Sequence, residues 1–170
     1  MDIYKALAKH YLPPWMKEAL LHIGVKEVPG KEHAPEIQKW LRALKAWWSD
    51  DETPWCGVFM AEVMRRTGHE LPKHWYRALA WADWGKRIDR PRVGCVVVFN
   101  RKGGGHVGLV VGVDQNGRLL VLGGNQGNAV RIDPFDTDRV VAYVVPLNSW
   151  LPDVELPRIA SELASSRNEA

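Results

Sequence analysis

Cysteine is scarce in this chain. Its two cysteines are too few for a disulfide scaffold, and neither stands in a CxxC or Cys/His spacing that would hold a metal ion. A pair of free thiols in a reducing compartment fits that number better than a single bridge. Long apolar runs are missing too, and no stretch approaches the length of a membrane-spanning helix. The opening segment MDIYKALAKHYLPPW has no uninterrupted apolar region, so it does not read as a secretory signal, and the protein is expected to be made in the cytoplasm. Neither sign of charge dominates. With 23 Lys and Arg against 20 Asp and Glu, the net charge is +3, and no clustered basic stripe suggests a nucleic-acid partner. There is no internal repeat and no low-complexity tract.

What is present suits one globular domain with a substantial core: 170 residues, 46% of them apolar, with nine tryptophans. The pattern changes character near residue 90. Before it, helical periodicity recurs over 14–23, 35–46, 54–67 and 73–84, and Ile3, Tyr4, Leu7, Ala8 and Tyr11 share one helical face. After it, GCVVVFN, HVGLVVGV, RLLVLGG, NAVRI and VVAYVV are short, β-branched and bounded by Gly, Asn and Asp. Asn116-Gly117 marks a hairpin turn. Helices followed by antiparallel strands make an α+β domain. The catalytic or binding unit is expected over 1–146, with 147–170 a partly ordered tail that holds at most one short helix and frays at its end.

One cysteine lies in DDETPWCGVFMAEVMRRTG. Thr53 is a suitable N-cap and Pro54 a suitable first helical residue. Counting from Cys56 by three and four gives Phe59, Met60, Val63 and Met64, an apolar face from which Glu62, Arg65 and Arg66 are excluded. Cys56 therefore faces the protein interior at a helix N-terminus, where free N–H groups and the dipole favour a thiolate. A small hydrophobe in the core is the competing reading.

A nucleophilic thiol needs a base, and the base needs an orienting group. His10, His22, His33, His69 and His74 fall in helices or the loops between them. His106 instead opens the strand HVGLVVGV behind RKGGG. By alternation it shares a face with Gly108, Val110 and Gly112, and the two glycines leave room for a helix to approach. In LGGNQGN, either Asn125 or Gln126 stands at a strand end where a side-chain carbonyl can hold the imidazole. The order of cysteine, histidine and amide matches a papain-type arrangement.

These segments together resemble the CHAP-like amidohydrolase/peptidases, relatives of the NlpC-type cell-wall hydrolases. The likeness is strongest to single-domain phage and prophage endolysins with a PWC…GHVG…GGNQ signature. The resemblance covers roughly residues 14–146. It implies a papain-like α+β fold and hydrolysis of an amide bond in bacterial peptidoglycan, either N-acetylmuramoyl-L-alanine or a stem-peptide link. Motif by motif it assigns Cys56 as nucleophile, His106 as base and Asn125 as the orienting group. Trp55, Trp75 and Gln126 are the expected substrate-binding side chains, while Trp81 and Trp84 are expected in the core. No cofactor or metal is expected; the acidic run Ser49-Asp50-Asp51-Glu52 reads as a capping turn in preference to a calcium loop. A monomer without a membrane anchor is implied, released to the periplasmic or extracellular wall by another agent. Val93-Gly94-Cys95 departs from the family's usual Pro-Gly-Asp. A toxin-like effector amidase and an inactive wall-binding module are the alternatives.

Overall fold

A computed structural model describes residues 3–161 of the chain. The helical half contains α1 (Ile3–Leu7), α2 (Pro14–Leu20), α3 (Pro35–Ala43), α4 (Cys56–Arg66) and a 3-10 helix (Ala78–Asp83). Then come β1 (Lys86–Ile88), β2 (Val96–Arg101), β3 (Gly104–Val113), β4 (Leu119–Gln126), β5 (Ala129–Phe135), a 3-10 turn (Thr137–Arg139) and β6 (Val140–Val145). The six strands form one antiparallel sheet in the order β1-β6-β2-β3-β4-β5. The class is α+β, as the sequence implies. Among the described residues no helix is long and apolar enough to cross a membrane.

Proline sets where α2 and α3 begin, each carrying it in the first turn. Both helices stop about three residues short of their periodic patterns. In α1 the apolar stripe is not the buried one: Leu7 is in the core, while Tyr4 and Tyr11 are exposed. The helix expected over 73–84 is instead a series of turns leading into the 3-10 helix. There the chain lays the carbonyls of Trp75 and Tyr76 against Gly57 of α4, where an added β-carbon would come within 2.7 Å of both. The short, charged strand β1 gave no signal in the sequence.

α4 is buried from Cys56 through Met64, Glu62 included. The sheet covers one side and α2 and α3 the other, so Glu62 lies inside despite being off the apolar face. Arg65 at 2.7 Å and Arg66 at 2.8 Å neutralise it from the solvent edge. The expected room for this helix on β3 is absent, because Gly108 faces Val121 and Gly112 faces Pro157 and Ile159. The close approach is made on β4. A β-carbon on Gly124 would stand 2.5 Å from Cβ of Phe59 and 2.9 Å from the Trp55 ring.

The hairpin between β3 and β4 is fixed by Asp114. Its buried carboxylate accepts the N–H groups of Asn116 and Arg118 and the Arg118 guanidinium. Residues 147–161 pack on the domain: Leu151 and Ile159 are buried in the same core. Val113 donates its N–H to the Pro157 carbonyl and accepts the Ile159 N–H, forming a parallel bridge to Arg158. The expected short helix and frayed end fall partly on residues 162–170, outside the described residues.

Gly124→Ala is expected to cost about 1–3 kcal/mol through overpacking, read as a lower urea midpoint, because Phe59 and Trp55 belong to a buried helix and cannot withdraw.

Cys95 is fully buried, and desolvation pushes its thiol from 9.0 up to about 12. Between those values the unfolded chain releases a proton that the native state keeps, so this contribution to stability is complete below pH 9 and lost as pH rises toward 12. Cys95→Ala should flatten the alkaline fall in unfolding free energy by up to about 1.4 kcal/mol per pH unit, measured by denaturant titrations across that range.

Candidate active site

The approach to α4 is built by two aspartates. Asp50 accepts from the N–H groups of Glu52 and Thr53 and from the Thr53 hydroxyl. With Thr53 committed to that turn, helix α4 starts at Cys56 with Trp55 in the N-cap position, two residues later than Pro54 would suggest. Asp51 is fully buried and accepts the N–H groups of Val28 and Ala34 at 2.8 Å, with His33 Nδ1 at 2.9 Å. Desolvation opposes ionisation of Asp51, yet these donors outweigh it and hold the carboxyl below its ordinary value. Asp51 thereby pins the segment before α3 to the one before α4. The Asp50 and Asp51 carboxylates of the acidic turn are thus engaged by protein donors. Among the described residues no three His, Cys, Asp or Glu side chains are grouped to hold a metal.

Trp55 is 1% exposed, packs on Trp40 and donates its indole N–H to Glu27 at 2.8 Å. It supports the helix start from below and has no surface to offer a substrate.

Cys56 occupies the first turn of α4 and lines a cleft of about 510 Å³. Burial pushes its thiol up. Against that act the backbone N–H of Val107 on β3, the charge of Arg101, and the N–H groups of Gly57 and Cys56 itself. The helix start therefore does supply donors to the sulfur, but at 4% exposure desolvation outweighs them and holds the thiol above its ordinary value. The Val107 contact sets the sulfur one peptide from His106.

His106 is fully buried, its ring stacked on Phe135 at 5.3 Å and 9° and more loosely on Phe99 at 6.3 Å. Its Nε2 lies 2.9 Å from Oε1 of Gln126. The Gln126 amide nitrogen donates to the carbonyls of Val121 and Arg131, which fixes the amide orientation and turns Oε1 toward the histidine. Since Oε1 can only accept, Nε2 must carry the proton, and in the neutral ring Nδ1 holds the lone pair. Of the two amides left open by the strand-end position, Gln126 makes this bond. It is fully buried and is not a groove residue. Asn125 beside it is buried too, in a left-handed backbone conformation (φ 58°) at the irregularity where β4 and β5 lose register. Gly123 explains why a reach from Gln126 is possible, since a β-carbon there would collide with the Gln126 carbonyl oxygen.

Trp75 is half-buried, stacked on Trp48 at 5.9 Å, and the cleft wall is formed by its neighbour Tyr76. Trp81 is in the core and Trp84 half-buried. The sequence reading missed Tyr76, Arg77 and Arg101 as cleft residues, because nothing in their local pattern shows that the loop before the 3-10 helix folds over the end of β2. A larger cleft of about 710 Å³ runs past His69, Trp84 and Leu147 and shares His74 and Ala80 with this one. No cysteine, serine or threonine among the described residues lines it, whereas the smaller cleft has Cys56.

Gln126→Ala removes the partner of His106 and leaves two buried carbonyls without a donor. A loss of about 1–3 kcal/mol is expected, read by chemical denaturation. Gln126→Glu should be destabilising as well, because its oxygens face the carbonyls of Val121 and Arg131.

A sequence search among curated proteins found no match. Residues 48–125 match the family profile of the CHAP domain, a segment that takes in both Cys56 and His106. CHAP domains are generally peptidoglycan hydrolases of the amidase or endopeptidase type. Over residues 48–125 the chain is thus similar to that family.

Proposed function

We propose that this protein is a cysteine peptidoglycan hydrolase that cleaves a wall amide, either the N-acetylmuramoyl-L-alanine bond or a link of the stem peptide. The observation that supports it most is a first-turn cysteine in an open cleft, its sulfur at the Val107 N–H beside His106, a histidine whose Nε2 is held by Gln126. Proton transfer from Cys56 to Nδ1 of His106 generates the thiolate that burial otherwise disfavours. The sulfur adds to the amide carbonyl, and N–H groups of the first turn of α4 stabilise the oxyanion. The C–N bond then breaks as the imidazolium returns its proton to the leaving amine. Water, deprotonated by His106, hydrolyses the thioester and restores the thiol. Gln126 takes the orienting role in this scheme, and Asn125 shapes the β4 turn behind it.

The mild positive charge of +3 suits an anionic wall. We further place the protein among phage or prophage endolysins, made in the cytoplasm as a monomer and released to the wall.

Zymograms on purified cell walls test the reading. Cys56→Ala should lose at least 1,000-fold in lytic rate, on the order of a missing covalent nucleophile, while Cys95→Ala retains most activity. His106→Ala should abolish lysis and raise the pH at which iodoacetamide labels Cys56. An active Cys56→Ala protein with an inactive Cys95→Ala protein would overturn the assignment.

A further inference from the structure

We infer that Arg101 and Arg77 make the Cys56 cleft a carboxylate-binding subsite, so that the enzyme selects amides flanked by a free carboxylate. This rests on the hydrolase reading above and deepens it. The charged and titratable side chains lining the cleft are Cys56, His74, Tyr76, Arg77 and Arg101; no Asp or Glu is among the described residues that line it. Arg101 comes from the end of β2 and Arg77 from the loop facing it, its guanidinium 5.8 Å over the Tyr76 ring.

Arg101 is half-buried, and its Nε is buried without a hydrogen-bond partner. Among the described residues no carboxylate pairs with Arg101 or Arg77, whereas Arg118 in the β3–β4 hairpin and Arg131 on β5 each hold an aspartate. A guanidinium with an unsatisfied buried N–H presents a fork that matches the two oxygens of a carboxylate and gains little from a neutral amide. Its charge already acts on the Cys56 sulfur. A carboxylate bound there stands beside the carbonyl under attack, on an acidic residue adjoining the scissile bond.

Purified walls with free carboxylates, compared with the same walls amidated by carbodiimide and ammonium, test this directly. The wild-type protein should lyse the native walls about 10- to 100-fold faster, the value of a charge-assisted hydrogen bond. Arg101→Gln should bring that ratio toward one, Arg101→Lys should restore it in part, and Arg77→Gln should reduce it. Because Arg101 also bears on the thiol, the ratio is the readout: any change in sulfur reactivity affects both substrates alike and cancels. A wild-type ratio near one, or a ratio unchanged in both Arg101→Gln and Arg77→Gln, would overturn the subsite while leaving the hydrolase reading intact.

If the wild-type protein lyses neither wall, it is the hydrolase reading that fails. The subsite is then judged by alkylation of Cys56. Protection by N-acetylglutamate but not by its diamide, lost in Arg77→Gln, supports it, and equal labelling with both compounds rejects it.

Discussion

The site depends on how closely α4 sits on the sheet. Phe59 and Trp55 press against Gly124 of β4, a contact that tolerates no β-carbon. On the opposite side Gly57 receives the Trp75 and Tyr76 carbonyls with the same intolerance. The first turn of the helix is thus held between β4 and the loop that walls the cleft. The Cys56 sulfur can reach the Val107 N–H only because both approaches are this short. In a close-packed interior such a fit transmits small displacements in place of absorbing them, so the position of the Cys56 sulfur is a property of the whole packed layer.

Around that layer the buried carboxylates and the Gln126 amide are each satisfied by protein partners, some near and some distant in sequence. Asp51 ties together the chain before α3 and before α4, Glu62 draws Arg65 and Arg66 inward, and Asp114 closes the β3–β4 hairpin. Gln126 spans His106 and the carbonyls of Val121 and Arg131. Each is expensive to bury alone and inexpensive once satisfied, which makes the arrangement specific. The Nε of Arg101, a cation in the cleft, finds no protein acceptor, nor do the Nε of Arg92 and the indole N–H groups of Trp40 and Trp48.

The helices-then-strands order was legible because hydrophobic period and turn residues are local signals, and the Asn116-Gly117 hairpin lies where they put it. Helix ends were less legible. Thr53 looks like a cap, but its hydroxyl and N–H are both taken by Asp50, a competition between two local motifs that only the folded turn resolves. The 73–84 segment has helical spacing but lies over Gly57, and that tertiary contact overrides its periodicity.

The sequence by itself determined the class of fold, the cysteine at a helix start, the histidine at a strand start and the amide pair that follows. These are matters of residue type and short-range order. Which amide orients the histidine was decided by the β4–β5 irregularity, which turns Gln126 inward beneath the histidine ring. Which aromatic walls the cleft was decided by the loop's path over α4, which brings Tyr76 to the surface of the cleft and stacks Trp75 on Trp48. Which way the Cys56 thiol shifts was decided by solvent exclusion, since a helix N-terminus favours a thiolate only where water or a partner shares the cost of burying it. All three depend on contacts between segments far apart in the chain, and no local pattern encodes them.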